Sequence, residues 1–292
     1  MNLIKLIGIL AIVAGICFMF WGLVALVLEV FFRYLLEMTL WVASIGLVIG
    51  THFASVDYAP WLLGVGSLLL PVAMFFSARM HNITIDRTKS SFALALLWGA
   101  IAMFYQSSFV GFFSVGALLT FLGFSFVVEP LCYSFGFKDD DAVWRGTVAG
   151  FFISVAYVAT RAFNLDLGPA VVFESGALWL ATFVCFLGVL IVSNEVYLGE
   201  WKGGESRYLS MNILAVLTLF AFASAGAFFG IREVTTMAGT FMILFFAGKI
   251  LEVETESFVA FGFKLVVVGG VIFGAWELIR RNEAFFKPYL MM

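Results

Sequence analysis

The sequence predicts an all-α integral membrane protein: a polytopic bundle of about ten transmembrane helices joined by short loops. Three observations carry that prediction. Of 292 residues, 63% are apolar even before the 28 glycines are counted. Only 12% are charged, against about 25% in soluble globular domains. The apolar residues also lie in runs of roughly 20, the length that crosses a bilayer core as a helix. No soluble fold hides that much apolar surface, so the lipid bilayer is the first expected partner.

Taken in chain order, the hydropathy pattern gives spans at 3–28, 36–55, 60–78, 91–106, 108–128, 143–161, 172–193, 209–230, 234–250 and 257–279. They are too long for barrel strands and lack the alternation of one. Met1–Phe20 starts like a signal peptide, with Lys5 ahead of an apolar run. That run continues through Trp21 to Leu28 without a small-x-small cleavage site, so it reads as a retained first span. Only Tyr105–Ser108 separates the fourth span from the fifth, which predicts a tight helical hairpin. Glu129-Pro130 reads as a helix stop, and Gly168-Pro169 breaks the chain into a connecting loop or a re-entrant segment. Asp139, Asp140 and Asp141 precede the sixth span and suit the positive end of its dipole. The polar stretches between spans are too short to fold alone, so residues 1–292 are expected to form a single transmembrane domain.

Several chemistries are disfavoured. The net charge is −3 and the basic residues are scattered singly, so nucleic acid is not an expected partner. Cys17, Cys132 and Cys185 form no CxxC pair, and His52 and His81 lie in different segments. No cofactor and no metal are expected. Walker A, GxSxG, HExxH and GxGxxG motifs are missing, and no set of nucleophile, base and orienter stands out. Asn82-Ile-Thr84 is a formal glycosylation triplet, a pattern too short to carry weight. The composition fits a bacterial inner (cytoplasmic) membrane. The basic residues do not orient the chain: the loop totals favour external termini, whereas Arg280, Arg281 and Lys287 favour an internal C-terminus.

Two groups of candidate residues remain. The first comprises charges placed to act in transport or coupling. Lys264 lies deepest, roughly 10 Å along its span; it either snorkels to the headgroups or needs a carboxylate partner. Glu174 and Glu129 are the candidate partners, and Arg161 flanks the same loop as Glu174. The second group comprises interface residues. Glu29, Arg33 and Glu37 share one helical stripe, which reads as an amphipathic connector or as a polar notch for a headgroup or partner. Gly226/Gly230 and Gly270/Gly274 are small pairs spaced four apart, like Gly46/Gly50 and Gly146/Gly150, and such pairs let helices approach closely.

These features support three functional classes. A non-catalytic membrane subunit or scaffold, associating with other membrane subunits or with itself, is the first. A transporter or channel for ions or small solutes is the second. A membrane enzyme acting on a lipid-like substrate is the third.

Overall fold

The computed structural model describes residues 2–129, 132–194, 204–252 and 258–281. Within these, the side chains of 2–18 and 126–135 and some of those beyond 258, Lys264 included, lie outside the description. Seven of the described helices are long and apolar enough to cross a membrane. The protein is therefore a multi-pass membrane protein, but the expected ten spans are not what the structure holds. The chain divides into two compact units, residues 1–85 and 86–292.

The first unit is a helical hairpin. Helix α1 runs without a break over Asn2–Gly50, so the expected spans 3–28 and 36–55 are one element. Glu29, Arg33 and Glu37 are not a connector. Glu29 and Arg33, four apart, pair along the helix, Glu37 is taken up by Ser77 and His81 of α2, and neither glycine nor proline stands between Gly22 and Gly46 to interrupt it. At 49 residues α1 is about 73 Å long, more than twice the thickness of a bilayer core. A short 3₁₀ turn, Thr51–Phe53, leads to helix α2, Ala59–Met80. Ser44 is buried and its Oγ donates to the carbonyl of Gly66 at 2.9 Å, joining the two helices. From Met19 to Leu36, by contrast, α1 is exposed at all but one position.

The second unit opens with helices α3, Arg87–Tyr105, and α4, Ser108–Phe121. Asp86 and Ser107 cap them with their side chains, accepting from Thr88 N and Val110 N. The tight hairpin expected at Tyr105–Ser108 is present, turned by Gln106 at φ 52°. The expected span 108–128 is not. At 14 residues α4 is short, and Gly123, at φ 107°, ends the helical region. Strands β1, Phe124–Glu129, and β2, Cys132–Phe137, follow, antiparallel with Phe124 opposite Phe137. Among the described elements this hairpin is the one that is not helical. Its alternating Phe124, Ser125 and Phe126 and its β-branched Val127 and Val128 were hidden inside an apolar run.

Helix α5, Asp140–Ala162, is capped by Asp139, whose Oδ1 accepts from Ala142 N at 2.7 Å, as the acidic run predicts. Helix α6 covers Gly168–Val192. It begins as a 3₁₀ turn over Gly168–Phe173 and widens to a π turn over Ala177–Ala181 before finishing as α-helix. The Gly168-Pro169 break is thus the start of this helix, with Pro169 in its first turn. Helices α7, Gly204–Phe228, α8, Arg232–Glu252, and α9, Phe258–Arg281, complete the described elements.

Helix α6 lies at the centre of the second unit. Small residues make this possible. A β-carbon on Gly150 of α5 would stand 2.6 Å from the carbonyl oxygen of Ala181, and one on Gly176 would stand 2.9 Å from the Val115 side chain on α4. Where those glycines stop, aromatic rings take over. Phe186 is fully buried against Phe222 of α7 and Phe241 of α8, with ring centroids 5.3 and 5.7 Å away.

Candidate functional site

The polar side chains inside each unit fall into two kinds. The first kind binds helices at mid-height using hydroxyls and backbone carbonyls. Thr182 Oγ1 of α6 donates to Ser154 Oγ of α5 at 3.0 Å, and Ser114 Oγ of α4 donates to the Ala95 carbonyl of α3 at 2.8 Å. All three hydroxyl residues are buried. Neutral pairs of this sort satisfy buried polar groups without placing a charge in lipid.

The second kind is ionic and collects near helix ends. In the first unit, Glu37 of α1 is buried and accepts a hydrogen bond from Ser77 of α2. His81 Nε2, at the C-terminal end of α2, lies 3.2 Å from each of the two Glu37 oxygens. Ser77 and His81 are one turn apart, so both reach one carboxylate. Sequence reasoning placed Glu37 with Glu29 and Arg33. Those two pair with each other on the surface of α1, their side chains more than half exposed, and Glu37 turns to α2. The stripe is split between two environments.

In the second unit, Arg161, in the last turn of α5, pairs with Glu174 at the head of α6. Both were candidates from the sequence, and the fold brings them together. Tyr157, one turn earlier on α5, donates from Oη to the Ala170 carbonyl at 3.1 Å and ties the 3₁₀ turn to the same helix. A third cluster escaped sequence reasoning altogether. Lys249 Nζ, in the last turn of α8, donates to Glu252 Oε2 at 2.7 Å and to the carbonyl of Ser193 at the C-terminal end of α6. Tyr208 Oη of α7 donates to the same Glu252 oxygen at 2.7 Å, and the ammonium sits 4.8 Å from the Tyr208 ring centroid. Four polar groups from three helices converge there. The sequence signal was weak, because Lys249 and Glu252 are only a local pair until Tyr208 and Ser193 arrive from 41 and 56 residues away.

The other candidates separate. Lys264 stands on α9 and Glu129 ends β1, and both side chains lie outside the described residues. Gly226 and Gly230 are used inside the chain: a β-carbon on Gly226 would stand 2.6 Å from Thr235 Oγ1, and Gly230 makes the turn into α8 at φ 67°. Among the described residues, Gly270 and Gly274 of α9 have nothing within 4 Å of where a β-carbon would be. The same holds for Gly46 and Gly50 of α1, whereas Gly146 would meet the Phe137 ring at 2.6 Å.

Chemically these clusters hold helices and fix charge. Among the described residues, no three His, Cys, Asp or Glu side chains converge in a manner that could hold a metal ion. Cys185 is a free, buried thiol packed as a small hydrophobe. No family model, curated protein or solved structure matches this chain.

Proposed function

We propose that the protein is a non-catalytic, multi-pass subunit of a membrane assembly that packs against other membrane helices, in a bacterial inner membrane. One observation carries the reading: glycines spaced four apart are filled in one part of the molecule and open in another. Gly146 and Gly150 receive neighbours from their own chain, whereas Gly270 and Gly274 on α9 receive none among the described residues. In lipid, close backbone approach is a main source of helix association, because the solvent supplies no hydrophobic drive. An open small-residue face on an apolar helix therefore suits a helix from another subunit or a second copy. The polar clusters agree with a structural role, since each closes helices of its own unit together.

The test is extraction in a mild detergent, with native particle size and co-purifying chains read by mass spectrometry. The expected result is a stoichiometric assembly that Gly270→Leu/Gly274→Leu dissolves without lowering the melting temperature of the released protein. A monomer whose behaviour the double substitution leaves unchanged overturns the proposal.

A second reading has its own support. Lys249, Glu252 and Tyr208 form a largely buried ionic cluster, and ionisable groups within membrane bundles often mark ion or solute paths. Under that reading Lys249→Met and Glu174→Gln abolish flux in proteoliposomes while the fold persists. Under the subunit reading no flux is present to lose.

A further inference from the structure

Helix α2 carries a shallow groove on one side, lined by Pro71, Val72, Phe75, Phe76 and Arg79, with a volume of about 540 Å³. Pro71, Phe75 and Arg79 recur every fourth residue and so form one stripe, with Val72 and Phe76 on its flank. From Pro71 to Arg79 the stripe is about 12 Å long, close to the roughly 15 Å depth of a single leaflet's hydrocarbon. Arg79 lies in the last turn of α2, at the polar end of the groove. Ser77 and His81, two residues to either side, are turned toward Glu37 and occupy that carboxylate. Two residues along a helix is a rotation of about 200°, which puts Arg79 on the opposite face. Among the described residues Arg79 makes no ion pair, in contrast to Arg33, Arg145 and Arg161, each of which has a carboxylate.

The geometry points to a binding site for one anionic phospholipid on α2: an acyl chain in the groove from Phe76 to Pro71, and the headgroup phosphate on the Arg79 guanidinium. The charge at the mouth is complementary to phosphate, and the planar guanidinium can bond two phosphate oxygens at once. The apolar floor suits a chain running toward the bilayer centre. A lone arginine at a helix end would attract headgroups anyway; here the groove beneath it adds the contacts that would hold one lipid in place.

The test uses the full chain in nanodiscs of equal phosphatidylglycerol and phosphatidylcholine, released into a native mass spectrometer to read retained lipid. Wild type is expected to keep one phosphatidylglycerol in preference to phosphatidylcholine. Arg79→Gln should lower that preference about tenfold, and Val72→Trp, which fills the groove and leaves the charge, should lower retention as well. Lys89→Gln, a change of equal charge elsewhere, should have no effect. Equal retention of the two lipids by wild type overturns the site, as does an unchanged preference in Arg79→Gln. Loss in Arg79→Gln with none in Val72→Trp reduces the effect to surface charge and overturns the groove. Displacement of the retained lipid by millimolar glycerol phosphate would show a phosphate site that makes no use of an acyl chain, and would overturn it too.

Discussion

Helices α6 and α1 are both apolar enough to cross a membrane, yet they meet opposite surroundings. In the most apolar stretch of α6, 56% of residues are buried within the protein; in that of the described part of α1, from Met19 onward, none are. Average hydropathy does not separate them, because lipid and protein interior are both apolar solvents. Residue size does. Helix α6 places Gly176, Ala177, Ala181, Thr182, Cys185 and Gly188 along its length, and neighbouring helices close onto those positions. Between Met19 and Leu36, α1 offers only Gly22 and Ala25 among large apolar side chains. Bulky, smooth helices suit lipid or a loosely fitted partner, and small-residue helices suit the inside of a bundle.

The largest effect that would break this comparison comes from adding volume at matched glycines. Gly150→Leu puts a side chain where a β-carbon alone would already stand 2.6 Å from the Ala181 carbonyl. Overpacking typically costs about 1–3 kcal/mol and at times more, and a backbone carbonyl cannot swing aside, so the upper end is expected. Gly270→Ala on α9 meets open space, and exchanging an interior helical glycine for alanine favours the helix by about 1 kcal/mol. Thermal melting in detergent should therefore move down for the first and slightly up for the second. Shifts of the same sign would mean that the two glycine faces are not different in kind.

The next effect in size sharpens the account of how α6 is held. Lys249→Met removes the cation shared by Glu252, Tyr208 and the Ser193 carbonyl at the end of α6. Leaving a largely buried carboxylate without its cation costs on the order of 2–3 kcal/mol. Adding Glu252→Gln should recover part of that loss, because the stranded charge is gone. Denaturant melts of the two single variants and the double variant test this, and strict additivity would show that the cluster is not a unit.

These expectations also show what was legible beforehand. Membrane helices could be read from composition and run length, because the bilayer imposes both. The cap at Asp139 and the Tyr105–Ser108 hairpin were legible because capping and turning are local. The continuity of α1 was not: three charges spaced by four look like a connector in a hydropathy profile, whereas Glu29 and Arg33 pair along the helix and Glu37 pairs across to α2. The β1–β2 hairpin is invisible to hydropathy because a window of about 19 residues averages over six-residue strands. The Arg161–Glu174 pair was within reach, since only 13 residues separate its members. The site at Lys249 depended on tertiary contacts that no local pattern encodes. In the sequence Glu37 shares a stripe with Glu29 and Arg33, whereas its partners in the fold are Ser77 and His81, 40 and 44 residues away.

In the first unit, the same stripe permits an internal control. Glu37→Ala should lower the melting temperature, because Ser77 and His81 lose the acceptor they share. Ser77→Ala should cost less, since His81 still engages the carboxylate. Melting of a peptide hairpin is not needed; the full chain in detergent, with cysteine pairs labelled across α1 and α2, reports whether the helices part. If Glu37→Ala leaves that distance and the melt unchanged, the cluster contributes nothing to the hairpin.

The smallest expected effect is the most informative about α1. Arg33 and Glu29 pair with side chains 59% and 57% exposed, and a pair of this kind in water is worth about 0.3–0.5 kcal/mol. Arg33→Ala should therefore barely change the stability of the isolated protein. In a bilayer the same pair sits midway along a helix about 73 Å long, in which the surrounding residues are apolar. If a partner subunit covers this stretch, removing Arg33 leaves Glu29 unpaired against it, and the cost moves from the monomer to the assembly. The measurement is the dissociation of co-purified complexes for wild type and Arg33→Ala, set beside their monomer melts. A weakened complex with an unchanged melt assigns the exposed half of α1 to a protein interface. An unchanged complex leaves that half to lipid, and α9 then carries the association alone.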